Sequence, residues 1–282
     1  MIRKSNFNKK MMSKIEIRKS LDYLIEVSKS NRELKLEASF VDSFDELIEF
    51  ESRRTIDNFD YWMNSLRVNN KWVGISGSWR TINKEIVNDT SYIVRYLMNK
   101  GVGILTGGAL GVDFIAAEII LKEGDPKRQL RIVLPIDRHT YLDYYDRMAL
   151  GKYISHSQAE SLLSQLKYVN NEFKEIIFDD SHFYEEEFLK IENEEYRKKS
   201  YRFRNFLVGY GCDCLVALCV NESNGVLNMV NKMNSIGKDF MLTFYEINQN
   251  STEVIRDYGK LKIPRLLKDY PLEYTLKDHL SN

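Results

Sequence analysis

Four glycines fall within nine positions of the stretch GILTGGALGVDFIAAEII, Gly103 to Ile120, between one apolar run and another. A turn that leads from a strand into a helix presents unpaired N–H groups and the positive end of the helix dipole, which together form an anion site. Gly107, Gly108 and Gly111 occupy such a turn, and a Cβ at Gly107 or Gly108 would hold a phosphate off the backbone. The spacing is neither the G-x-G-x-x-G of dinucleotide folds nor a P-loop, which would add a Lys-Ser/Thr pair. Close strand–helix packing also uses glycine, so the turn alone leaves both roles open. A second glycine turn, GISGSWR, supplies Ser76, Gly77, Ser78 and Arg80, adding hydroxyl donors and a guanidinium able to grip phosphate through two hydrogen bonds. Asp113 is either a first-turn carboxylate favoured by the dipole or an acceptor for a ribose, a base or a neighbouring loop.

A third group is YRKKSYRFRN, Tyr196 to Asn205, where Arg197, Lys198, Lys199, Arg202 and Arg204 alternate with Tyr196, Tyr201 and Phe203. Cations that track phosphates beside rings that stack on bases suit a nucleic-acid strand. The same residues also suit a solvated helix start that balances Glu192, Glu194 and Glu195 just upstream. Cys212, Cys214 and Cys219 share one apolar segment and are expected to be buried, reduced thiols, with Cys212 and Cys214 on one face of a strand. His139, His156, His182 and His279 have no metal-ligand spacing, so neither a metal nor a cofactor is expected.

These residues need elements to position them. WVGIS, VGILT, LRIVLPI, CDCLVALCV and DFMLTFYEI read as five short buried strands, with helical patterns such as INKEIVNDTSYIVRYLMNKG and VDFIAAEIILKEG between them. Connections of that length imply parallel pairing with both faces covered. The predicted fold is therefore α/β: a Rossmann-like parallel sheet with helices on both faces, preceded by an N-terminal helical region over 1–70. In that region SFDELIEFESRRTIDNFDYWMNSL places Phe44, Leu47, Ile48 and Phe50 on one face, with Asp42 or Ser43 as a cap. The main domain is expected over 71–246, with a helix-prone insertion at 137–200, and a C-terminal tail over 247–282. The chain has 282 residues, and its 41 Lys and Arg balance its 41 Asp and Glu. No global field therefore attracts nucleic acid or membrane, and only local patches can do so. The basic start lacks a signal peptide's apolar centre, and nowhere do about 18 apolar residues run together, so a soluble, cytoplasmic protein with no membrane partner is expected.

GISGSWR, LTGGALGVDFIAA, YRFRNFLVGYGCDCLVAL and ESNGVLNMVNKMNSIGKDFML follow the order and rough spacing of the DNA-processing protein A (DprA/Smf) family. That family belongs to the SLOG superfamily of Rossmann-like folds, with the cytokinin-activating LOG proteins. The resemblance covers about 71–246, and the Gly-Gly-x-x-Gly-x-Asp turn and the Arg204-Asn205 pair are its most specific parts. It implies single-stranded DNA binding, association as dimers, help in loading a recombinase, and a pocket lined by Ser76, Gly77, Ser78, Arg80, Gly107, Gly108, Gly111, Asp113, Arg204, Asn205 and Gly225. The chain departs from the family pattern at Leu110, where an arginine is usual, at Trp79, which separates Ser78 from Arg80, and at Val226 after Gly225.

Three functions follow. The first is a DprA-like binding protein that holds phosphates of single-stranded DNA or of a nucleotide at the two glycine turns, with Arg197, Lys198, Arg202 and Arg204 facing nucleic acid. The second is a SLOG sensor of a small nucleotide or nucleotide-derived signal, which the neutral charge and Leu110 favour. The third is a LOG-like N-glycosidase of nucleoside monophosphates, an activity that needs a carboxylate beside the sugar. Asn224 to Met229 holds none, so Glu118 and Glu222 are the remaining candidates for that role. Binding is favoured over catalysis.

Overall fold

The computed structural model describes residues 14–27, 46–65, 71–79, 82, 84–180, 183–190, 193–221, 223–247 and 254–257. In chain order the elements are α1 (Lys14–Val27), α2 (Glu46–Ser65), β1 (Trp72–Gly77), α3 (Lys84–Asn99), β2 (Gly103–Thr106), α4 (Val112–Glu123), α5 (Pro126–Gln129) and β3 (Leu130–Val133). They continue with α6 (Arg138–Leu150), α7 (His156–Glu172), β4 (Ile177–Phe178), α8 (Glu185–Leu189), α9 (Glu194–Gly211), β5 (Cys214–Val220), α10 (Asn224–Ser235), β6 (Asp239–Ile247) and β7 (Val254–Asp257). The strands form one sheet in the order β4-β3-β2-β1-β5-β6-β7. Every neighbouring pair from β4 to β6 is parallel, and only β6 and β7 run antiparallel.

Parallel strands covered on both sides must be apolar on both sides. All seven residues of β5 are buried, as are all four of β2 and of β3. One face packs α1, α3, α4, α6 and α7 into a core that includes Leu21, Ile93, Ile120, Tyr141 and Leu162. The other face packs α2, α9 and α10 around Phe59, Leu105, Phe206, Leu215 and Met233. Helix α3 is amphipathic, with Ile86, Thr90, Ile93, Val94 and Leu97 on its buried side.

The region 137–200 carries α6, α7, β4 and α8, and through β4, which pairs parallel with β3, it belongs to the sheet. Strands β4 and β7 are additions to the five read from sequence. β4 has only two residues, too few for a periodic signal, and it is covered by α2. Phe59 and Trp62 of α2 meet the Phe178 ring at 5.2 Å and 5.3 Å, and the Trp62 indole donates to the Glu175 carbonyl at 2.7 Å. The face proposed for Phe44, Leu47, Ile48 and Phe50, and the Asp42 or Ser43 cap, lie outside the described residues or side chains.

The three cysteines are buried and unbridged. Cys212 does not share a strand face with Cys214, because the strand starts only at Cys214 and Cys212 ends α9, its thiol donating to the Gly209 carbonyl at 3.5 Å. Lys238, at the start of β6, closes that helix end. Its buried ammonium donates to the carbonyls of Gly209 at 3.1 Å, of Tyr210, and of Cys212 at 2.7 Å. A cation there satisfies the orphan carbonyls and complements the dipole. On the same face as α2, Arg131 of β3 is buried against the Trp72 ring at 4.8 Å and donates to the carbonyls of Lys127 and Leu130. Its Nε and Nη2 have no partner, and burial pulls its pKa down to about 10.

Candidate functional site

From β1 the chain winds through β2, β3 and β4 to one side of the sheet and through β5 and β6 to the other. The strand order thus reverses between β1 and β5, the place where open α/β sheets leave a crevice beyond their carboxyl ends. Residues 76–79 after β1, 107–111 after β2, and 221 and 223–225 after β5 form this rim.

The glycine turn is filled by an arginine from a distant part of the chain. Arg204 of α9, only 8% exposed, donates through Nη1 to the Gly107 carbonyl, and the same nitrogen lies 3.4 Å from Asp113 Oδ2. A Cβ on Gly107 would fall 1.4 Å from that nitrogen, so glycine is what lets the guanidinium lie over the turn. Gly111 has φ +78°, and a Cβ there would meet the Ser78 carbonyl at 2.4 Å, so it joins the two glycine turns back to back. Among the described residues, Nε of Arg204 is buried with no hydrogen-bond partner. Such a donor is costly to leave unmade.

Asp113, in the first turn of α4, is 6% exposed, and the Ala109 N–H points at its Oδ2 from 3.4 Å. Burial pushes its carboxyl up to about 6, against the opposing pull of Arg204 and the backbone N–H groups. Desolvation therefore outweighs the ion pair, whose 3.4 Å separation is long. Beneath the turn, the Tyr141 hydroxyl donates to the Gly108 carbonyl at 3.3 Å and lies 3.4 Å from the Tyr145 hydroxyl. Burial drives Tyr141 and Tyr201 well above the ordinary phenol value and Tyr145 up to about 12, so all three stay neutral beside Arg204.

The other sequence-derived residues separate into groups. Ser78 is buried, and its hydroxyl is taken by β5: it accepts from the Val220 N–H at 2.9 Å and contacts the Val220 carbonyl at 3.4 Å. Ser76 and Gly77 are half-buried, with Gly77 facing Val112, while Gly108 is buried against Leu134 and Ile132. Asn205 is half-buried and Gly225 exposed, with open space where its Cβ would be. Arg80 lies outside the described residues. Along α9, Arg197 turns inward to the carbonyls of Phe188 and Lys190, Lys198 pairs with Glu194 at 3.1 Å, and Arg202 with Glu195 at 3.4 Å. Glu118 is held by Lys122 and by Gln165 at 3.0 Å, which lower its pKa against the effect of burial; Glu222 lies outside the described residues.

Sequence reasoning passed over the polar groups of α6 and α10. Asp137 caps α6 with Oδ1 at 3.0 Å from the Thr140 N–H, while its Oδ2, the Thr140 hydroxyl and the Asn228 side-chain oxygen are buried without partners. The run HTYLDYYD carried a signal, since Tyr141 and Tyr145 are four residues apart and share a helix face. Among the described residues, no three His, Cys, Asp or Glu side chains are grouped to hold a metal, and no helix is long and apolar enough to cross a membrane.

Strand order, parallel register and two-sided helical cover define a Rossmann-like α/β protein. No family model and no curated protein matches the chain. Among solved structures it is similar to the single-stranded DNA-binding DNA processing protein A from Helicobacter pylori, with 17% identity over 77% of this chain and 84% of that one and a TM-score of 0.43. It is also similar to DNA processing protein A (DprA) from Streptococcus pneumoniae, with 13% identity over 83% and 87% of the two chains and a TM-score of 0.41. Both superpose loosely, and the fold class stands on the sheet itself.

Proposed function

We propose that the chain is a DprA-like binding protein that holds phosphates of single-stranded DNA or of a nucleotide at the rim between β1, β2 and β5, in DNA processing or recombination. The observation that carries this is Arg204, a buried guanidinium at the switch point with an unused donor. Guanidinium is the group best matched to phosphate oxygens, and a buried charge with a spare donor favours an anionic ligand. The open end of α10 adds to it: Ser223 places no side-chain cap on the helix, and Gly225 leaves the approach bare. By the same family resemblance the protein is proposed as a homo-oligomer, and from its sequence pattern as a cytoplasmic one. A second reading, a sensor of a small nucleotide, is favoured by the depth of Arg204 and by the pairing of Lys198 and Arg202 with glutamates, which leaves little cationic track for a strand.

The test is fluorescence anisotropy of a labelled (dT)20 strand at two salt concentrations, repeated with excess unlabelled nucleoside monophosphate. Salt-sensitive binding barely competed by the monophosphate supports the strand. Efficient competition supports the nucleotide sensor. No binding of the strand rejects that reading, and titration calorimetry with the monophosphate alone then decides the other.

A further inference from the structure

We propose that Asp113 is the resident counter-ion of Arg204 in the absence of ligand: a phosphate that binds at the same guanidinium takes over that role, and Asp113 is neutralised by uptake of one proton from solvent. The proposal rests on the phosphate-binding reading above and adds its regulation by pH. Asp113 and Arg204 are both buried, and each faces the other as its counter-ion at 3.4 Å. Arg204 is fixed over Gly107 by its bond to that carbonyl, with Nη1 facing Asp113 and Nε left for a second acceptor. A phosphate at its free Nε would place a second negative charge beside a carboxylate with little solvent to screen it. Two like charges at one buried site do not both stay ionised, and the weaker acid takes the proton. That acid is Asp113, already pushed to about 6 by burial, whereas a phosphodiester remains ionised throughout this range.

Among the described residues, Arg204 is the charged group that acts on Asp113, and the groups around the pair are neutral or engaged elsewhere. Tyr141 and Tyr145 of α6 and Tyr201 of α9 face Arg204 as neutral phenols raised by burial. On α3, which packs along α4, Arg95 is engaged with Glu123 at the far end of α4. On α4 itself, Glu118 is tied to Lys122 and to Gln165 of α7.

Affinity of the intact protein for 5′-hydroxyl (dT)20, whose phosphates are all diesters, would be measured at constant salt from pH 5 to 7.5, with protons counted by titration calorimetry in buffers of different ionisation heat. Binding is expected to tighten by up to about tenfold from pH 7.5 to 6.5, with one proton taken up, and to level off below pH 6. Asp113→Asn is expected to bind with no such slope and more tightly than the native protein at pH 7.5. The variant retains all four histidines, so what they contribute is common to both proteins. Binding of the native protein with no slope and no proton uptake overturns this inference and leaves the phosphate site standing, as does a slope that survives in Asp113→Asn. Absence of binding at every pH, to (dT)20 and to a nucleoside monophosphate alike, overturns both. If the variant does not fold, the native slope and proton count still decide.

Discussion

Replacing Asp113 by Asn separates two opposed effects at the rim through stability alone, with no ligand present. Burial disfavours the ionised carboxylate, and Arg204 favours it. Burial prevails, since the carboxyl rises from 3.8 to about 6. The sign follows directly. A group whose pKa is raised by folding binds its proton more tightly in the native state, so its contribution is fully present below about pH 4 and is lost as pH rises through about 6. A rise of about two pKa units corresponds to about 3 kcal/mol. Asparagine is uncharged throughout, so the stability of Asp113→Asn relative to the native protein should improve by about 2.5 kcal/mol between pH 4 and pH 7.5. Urea unfolding of both proteins, followed by far-ultraviolet circular dichroism at half-unit pH steps, measures the difference, and the other carboxylates cancel in the subtraction. Parallel profiles would refute the reasoning. A difference of opposite sign would mean that the Arg204 pair outweighs desolvation and that the native carboxyl is depressed.

Three further outcomes are expected. Gly107→Ala forces Arg204 off the turn, and overpacking of this kind costs about 1–3 kcal/mol, so the thermal midpoint should fall and (dT)20 binding should drop with it. Arg131→Met should leave stability unchanged or raise it by about 1 kcal/mol or more, because the buried guanidinium makes no ion pair among the described residues and has two unmet nitrogens; a loss above about 2 kcal/mol in urea unfolding would contradict this. Lys238→Met removes three carbonyl contacts from the end of α9 and should cost about 2–3 kcal/mol, with amide exchange accelerating first in the last turn of that helix.

Much of this architecture was legible because its strands are buried on both faces. VGILT, LRIV and CLVALCV read as strands from composition alone, and the glycine turns marked the rim. Their partners were not legible. Ser78 and Val220 lie 142 positions apart, and Arg204 and Asp113 lie 91 apart, so no local pattern shows that one hydroxyl is taken and one carboxylate paired. The basic run at 197–204 looked like a surface for nucleic acid, yet helical geometry divides it: Arg197 and Arg204 turn inward, while Lys198 and Arg202 meet glutamates one or two turns back. Sequence spacing identified the cations, and only packing decided which of them reach solvent.

The cover that α2 lays over β4 has a practical consequence for anyone trimming this protein. Among the described residues β4 is an outer strand of the sheet with its Phe178 ring buried under α2, and an outer strand stripped of its cover is the kind of margin through which proteins self-associate. Phe59 and Trp62 close that margin. A fragment beginning at Lys71 would retain every strand and every rim residue, yet it would be expected to precipitate on expression, its sheet intact and its flank laid bare.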